Sequence, residues 1–360
     1  MKTLRSIDKQ ADDQPTRTGD GSCDDTRPGY ADMKYTTTID YEPDKRFLLD
    51  MPAHSVRPLS TSWMLLALGA LVGGGVLTVV IVLSRMPYIG DVFPWVDLFH
   101  TALVVHVDLT VLVWFLSMAG VLWTINIMPR WLWLGWLSLG MCVAGAMIIT
   151  ISPFLGAGGP MMTNYVPILE DPVFFTGLAV FGAGFALLVA HALAASRPIG
   201  RKITGQGALR FGLFSSLIAA LVAIGALASS YLGIPDAIEG ERYYELLFWG
   251  GGHTLQFVHV QLMLVAWLWL ATASGIASRL TPRVVLVLFA IGLIPVLLTP
   301  AAYISFDVAS PDHLHTMTWL MRYGGGLAAV PIGLVILFNL LGALRGRGAL
   351  GDERSALFAS

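Results

Sequence analysis

Eight long apolar stretches limit what this chain can fold into more than any other feature. We predict membrane-spanning helices at 62–85, 98–127, 131–155, 172–196, 210–234, 245–278, 283–306 and 316–344. At 1.5 Å per residue, each stretch is long enough to cross a hydrocarbon core of about 30 Å. Because lipid offers no hydrogen-bond partners to an open backbone, such segments form helices. The predicted fold is an all-α, polytopic membrane helix bundle of about eight transmembrane helices.

The charge content agrees with this fold and excludes one class of partner. Only 13% of the 360 residues are charged, whereas soluble domains carry about 25%. The net charge of −2 gives no basis for binding nucleic acid. The lipid bilayer is therefore the predicted surroundings of this chain, and nucleic acid is not a predicted partner.

The charges of the connecting segments predict the orientation of the bundle. Connections after the second, fourth and sixth spans are basic, and those after the third, fifth and seventh are acidic. Since basic loops stay in the cytoplasm, both termini are predicted to be cytoplasmic, in a bacterial-type inner (plasma) membrane. Residues 1–60 are predicted to be a polar, disordered cytoplasmic tail, 61–346 the transmembrane bundle, and 347–360 a short cytoplasmic tail.

The sixth span contains the strongest candidate site. Its sequence at 246–270, LLFWGGGHTLQFVHVQLMLVAWLWL, combines three consecutive glycines with His253 and His259. An ionisable ring at membrane depth indicates a functional site, and glycines let another group approach the backbone closely. We therefore predict that a flat gap lies beside His253, as a buried haem or copper site would need. His253 and His259 lie about 240° apart on the helix, so they cannot bind one metal from the same face.

Other candidate residues lie in the predicted outer half of the membrane. His106 of the second span lies about 12 Å from the outer face, at the same depth as His253. In DHLHT at 312–316, His313 and His315 could bind surface copper or could be solvated in the loop before the last span. Asp108 and Arg322 are costly in lipid unless each has a partner, which could be the other residue, a haem propionate or water.

Four features of the sequence resemble features of subunit I of the haem–copper oxidases, nearest the B-type branch. LFWGGGHTLQF at 247–257 resembles the sixth helix of that family, and the spacing from His106 to Met128-Pro129 resembles its second helix. NYVPILEDPVFFTGL at 164–178 resembles the segment that leads into the fourth helix, and LLTPAAYISF at 297–306 the start of the metal segment of the seventh. The order and spacing of these matches along the eight spans carry the resemblance.

The resemblance implies roles for particular residues. His106 would be an axial ligand of a low-spin, b-type haem, and His253 would be a copper ligand. The family's tyrosine falls at Phe257, and its pair of histidines falls at Ile304 and Ser305. The family has at least twelve spans, and its tenth helix, which supplies further haem ligands, has no counterpart here. The implied copper and oxygen-reducing centre is therefore incomplete, and enzymatic turnover stays an open question.

These observations leave several hypotheses. The first is a divergent subunit that binds haem in a respiratory electron-transfer complex, with cytochrome c or a quinol as donor. Its second haem ligand would come from His253, His259 or a partner chain, which would also supply the missing helices. The second hypothesis is a non-catalytic scaffold or assembly subunit that has lost the metals. The third is a membrane protein that handles copper or haem through the outer histidines.

Overall fold

The computed structural model describes residues 45–88, 95, 97–156, 158–276 and 280–346. The described chain is almost entirely helical and contains ten α-helices. They are α1 (Arg57–Leu83), α2 (Leu98–Val107), α3 (Trp114–Ile125), α4 (Leu132–Ile151), α5 (Pro172–Ala195), α6 (Gly205–Gly233), α7 (Gly240–Ala273), α8 (Pro282–Ser305), α9 (Pro311–Gly324) and α10 (Gly326–Gly346). A short hairpin of β1 (Pro160–Met161) and β2 (Ile168–Leu169) precedes α5.

Within these residues, eight helices are long and apolar enough to cross a membrane, which confirms the predicted fold class. The second span joins α2 and α3 through a π-helical segment, Asp108–Val113, and the eighth joins α9 and α10. An even number of spans places the two ends of the bundle on the same side. That this side is cytoplasmic stays a prediction from the charged loops.

Capping residues explain where several helices begin. Asp97, Asp171, Thr204, Thr281 and Ser310 each accept a hydrogen bond from a backbone N–H of the following turn. Such caps satisfy donors that the first helical turn leaves free. Hydropathy gives little weight to polar residues in the first turn of a helix, so the predicted starts of α1, α6, α7 and α9 are about five residues too late.

The bundle consists of closely packed helix pairs. The second span packs against α1, α4 packs chiefly against α5, and α6 packs chiefly against α7 and α8. Between α4 and α5 the backbones nearly touch, since a Cβ on Gly145 would lie 2.5 Å from the backbone nitrogen of Phe181. Small residues allow this approach, which drives helix association in lipid through van der Waals contact.

The segment before α1 packs against the basic end of the bundle. Phe47 is fully buried, and the Asp50 carboxylate lies 2.8 Å from Nη2 of Arg210 and 3.5 Å from Nη1 of Arg197. The predicted tail boundary at residue 60 is therefore too late, because hydropathy does not detect a short packed segment. Residues 1–44 and 347–360, the rest of the predicted tails, lie outside the described residues.

Candidate functional site

His106 lies at the end of α2 with its ring turned toward α1. Its Nδ1 lies 2.9 Å from the backbone oxygen of Gly74 and 3.3 Å from Oγ1 of Thr78. A carbonyl oxygen can only accept a hydrogen bond, so Nδ1 is the protonated nitrogen and donates this bond. Nε2 then keeps its lone pair. A Cβ on Gly74 would overlap Cγ2 of Thr110, so glycine is what lets the two helices approach here. This arrangement, with one nitrogen oriented by a carbonyl, is typical of a metal-binding imidazole.

The three glycines before His253 do not leave a flat gap, contrary to the prediction. A Cβ on Gly252 would overlap the ring of Tyr165, and a Cβ on Gly250 would overlap the hydroxyl of Tyr303. Gly251 faces the backbone of α6. The glycines therefore accommodate tyrosines and a neighbouring helix of this same chain. Sequence could not reveal this, because the loop and helix that supply the tyrosines are distant along the chain.

His253 itself is buried in an aromatic cluster. Its Nδ1 lies 2.8 Å from the backbone oxygen of Trp249, one turn earlier, and its ring centroid lies 4.6 Å from that of Trp249 and 5.0 Å from that of Tyr165. Since Nδ1 donates to a carbonyl, Nε2 is again the nitrogen with a lone pair. His253 could therefore contribute one nitrogen ligand, Nε2, to a metal.

His259 lies deeper in α7 and faces a different group. Its ring stacks on Phe115 of α3, with centroids 4.5 Å apart. Its Nε2 is buried and makes no hydrogen bond within the described chain. The ring borders an apolar cavity of about 370 Å³ between the second span, α5, α6 and α7, which we call the central cavity.

His313 and His315 lie in the first turns of α9, so the predicted loop at 312–316 is wrong. The hydroxyl of Ser310 caps this helix by accepting from the backbone N–H of His313. His313 is buried, with its ring centroid 4.5 Å from that of Tyr303, whereas His315 is exposed. Residues two apart on a helix lie on opposite sides, so these imidazoles do not converge on one ion.

Asp108 and Arg322 do not pair with each other. Asp108 starts the π-helical segment, is 1% exposed, and has no hydrogen-bond partner on either carboxylate oxygen among the described residues. Arg322 is exposed on α9, with its guanidinium 5.8 Å from the ring centroid of Tyr323. A π-helical segment is rare and often marks a functional position, so Asp108 stays a candidate.

Arg322 lies near the middle of the bundle by two measures. It follows Pro311, the start of α9, by about 16 Å at helical rise. The neighbouring Gly324 contacts Pro295, which lies near the centre of α8. An exposed guanidinium at this depth raises the free energy of the folded state in lipid. A partner outside the described residues, or a side-chain conformation that reaches the membrane interface, would reduce this cost.

In the purified chain we expect Arg322→Leu to raise the free energy of unfolding by about 2 kcal/mol, because it removes a charge from apolar surroundings. Denaturation by SDS in mixed micelles measures this. Arg283→Leu is the matched control: it is equally exposed but lies in the first turn of α8, where we expect little change. If Arg322→Leu lowers stability instead, the guanidinium has a stabilising partner in the purified protein.

The candidate residues do not form one metal centre. Among the residues that the structure describes, no three His, Cys, Asp or Glu side chains are grouped so as to hold an ion. Ile304, at the position of one family histidine, is 87% exposed and faces away from the bundle, while Phe257 is buried against Gly324. The side chains present therefore do not fit the copper site that the resemblance implies. His106 has a donor nitrogen, Nε2, of the kind that a haem ligand needs.

The structure adds residues that the sequence analysis missed. The carboxylate of Glu245 accepts from the backbone and side-chain N–H groups of Asn164, and the amide of Gln256 donates to the hydroxyl of Tyr165 over 3.3 Å. Burial, together with the nearby Glu245 carboxylate, raises the pKa of the Tyr165 phenol, which keeps it protonated. The spacing of Glu245, Gly252, Gln256 and His259 places them on one helical face, a signal that was available in the sequence.

Comparison with known proteins gives distant bacterial relatives. No family model matches the chain. It is 25% identical over 314 residues to an uncharacterized protein of Rickettsia prowazekii (strain Madrid E), which covers 79% of this chain and 61% of that protein. It is 27% identical over 286 residues to an uncharacterized protein of Aquifex aeolicus (strain VF5), which covers 78% of this chain and 69% of the relative. This chain thus spans about three fifths of the length of the Rickettsia protein.

Proposed function

We propose that this chain is a haem-binding subunit of a membrane electron-transfer complex, with His106 as an axial ligand. The observation that carries the proposal is the hydrogen bond from Nδ1 of His106 to the backbone oxygen of Gly74. It sets the tautomer and the ring orientation, so that Nε2 is the nitrogen whose lone pair would bind iron. A bound haem would supply one-electron transfer.

The motif resemblance supports the same assignment. His106, Met128-Pro129 and the 247–257 segment follow the order of subunit I of the haem–copper oxidases, and the chain is a multi-pass membrane protein, as that subunit is. On this proposal the complex lies in a bacterial plasma membrane. The donor is cytochrome c or a quinol, and other respiratory subunits supply the second haem ligand.

The proposal assigns no copper and no oxygen-reducing step to this chain. A mononuclear copper site of the family's kind needs several imidazoles on one ion. His253 is a single imidazole, and Ile304 and Phe257, at two of the family's other positions, cannot bind copper. The role that fits the side chains present is electron transfer through haem, within a larger complex.

The packing of the glycine run favours a scaffold as the second candidate. Tyr165 and Tyr303 occupy the space beside Gly252 and Gly250, so no gap for a flat cofactor lies beside this part of α7. A scaffold needs no cofactor. The two candidates differ in one measurable property, which is haem content.

The test is a pyridine haemochrome assay on the chain purified in mild detergent from membranes of a haem-sufficient host. The proposal predicts about one b-type haem per chain. A folded chain that carries no haem, both alone and after co-purification with its membrane partners, would leave the scaffold as the better account.

A further inference from the structure

The central cavity has an apolar lining with polar groups along one wall. Its apolar walls come from 111–116 in the second span, 178–186 in α5 and 223–227 in α6. Along α7 it runs from Phe248 to His259, about 16 Å at helical rise. A volume of about 370 Å³ spread over that length accommodates a slender body, about as wide as one alkyl chain.

The cavity is accessible from the lipid. It lies between helices that pack mainly against other neighbours, since α5 packs chiefly on α4 and α6 chiefly on α7 and α8. Gly182 of α5 and Leu227 of α6 border the cavity and are both exposed. A molecule dissolved in the bilayer therefore has a route between α5 and α6.

The polar wall offers hydrogen-bond donors. Tyr165 accepts from Gln256 and keeps its own O–H hydrogen, and an imidazole such as His259 carries at least one N–H. Nε2 of His259 is buried and makes no hydrogen bond with the described chain, and a buried polar group without a partner is costly. Lipid tails have no acceptor for it, so an occupant with a carbonyl oxygen is the better complement.

We propose that the central cavity binds a membrane-soluble molecule with a slender apolar body and a carbonyl group, whose oxygen accepts a hydrogen bond from His259. This site is separate from His106 and does not depend on haem. The apolar body would fill the lining between α5 and α6, and the carbonyl would lie at the deep end of the cavity.

The test uses two photoreactive probes with the chain in lipid nanodiscs. One is a long-chain methyl ketone that carries an aliphatic diazirine, and the other is the matching hydrocarbon with the same diazirine. Mass spectrometry of the labelled peptides locates each probe. We expect the ketone to label 178–186 and 223–227 saturably, and unlabelled 2-undecanone, but not n-undecane, to compete.

Two variants separate hydrogen bonding from space. His259→Phe keeps the stacking on Phe115 and removes the donor, so the ketone should bind roughly 3- to 10-fold more weakly, the loss typical of one hydrogen bond. Gly182→Leu places a side chain at the entrance and should abolish labelling by either probe inside the cavity. Gly225→Leu is the matched control: an added Cβ meets nothing within 4 Å at either glycine, and Gly225 does not border the cavity.

Two results would overturn the proposal. Equal labelling of the cavity by ketone and hydrocarbon, unchanged in His259→Phe, would mean that it holds only lipid tails. Absence of labelling at 178–186 and 223–227 in the wild type would mean that the cavity is closed to molecules of this class. If His259→Phe fails to fold, the competition between 2-undecanone and n-undecane in the wild type still decides between a polar and an apolar occupant.

Discussion

Replacing Gly145 with leucine is expected to lower the free energy of unfolding by about 3 kcal/mol or more. A Cβ on Gly145 would lie 2.5 Å from the backbone nitrogen of Phe181 and 2.7 Å from the backbone oxygen of Gly177. These are backbone atoms of α5, so no side-chain rotation can relieve the overlap, and the two helices must move apart. Unfolding by SDS in mixed micelles, followed by circular dichroism, gives the change.

Gly140→Leu is the control for this prediction. Gly140 belongs to the same helix, α4, but it is exposed and an added Cβ there meets nothing within 4 Å. Both substitutions gain the same helix propensity, so the difference between them isolates the contact with α5. Equal stability of the two variants would show that α4 and α5 are not packed as described.

Replacing Asp108 with leucine is expected to raise the free energy of unfolding by roughly 1 to 3 kcal/mol in the isolated chain. Both carboxylate oxygens are buried and lack partners among the described residues, so the folded state bears their full desolvation cost. A chain that keeps such a group gives up stability, as proteins do at functional sites.

Asp108→Asn is the matched variant, because it keeps the shape and polarity of the side chain and should change stability far less. A clear loss of stability in Asp108→Leu would contradict the prediction. It would show that the carboxyl group is hydrogen-bonded in the purified protein, to water or to a bound group.

Much of the fold could be predicted from sequence because its driving force is local. Apolar length alone located all eight spans, since a helix in lipid satisfies its own backbone. The helix starts were less accurate where polar capping turns precede the apolar run, as at α9. His313 was assigned to a loop for this reason, although Ser310 caps the helix that contains it.

The candidate site could be predicted only in part, because its geometry depends on contacts between distant segments. The sequence indicates that His106 and His253 lie at similar depth, but not that His106 faces Gly74 of α1. The glycine run before His253 correctly indicated a close approach. The groups that approach are Tyr165 and Tyr303, which no local pattern in α7 could identify.

The most direct test of the central claim is a reduced-minus-oxidised visible spectrum of the wild type, His106→Ala and His315→Ala. The account predicts b-type haem bands in the wild type, their loss in His106→Ala, and an unchanged spectrum in His315→Ala, whose imidazole is exposed. Haem bands of full intensity in a folded His106→Ala chain would show that His106 is not the ligand. The absence of haem bands in the wild-type complex would contradict electron transfer as its function.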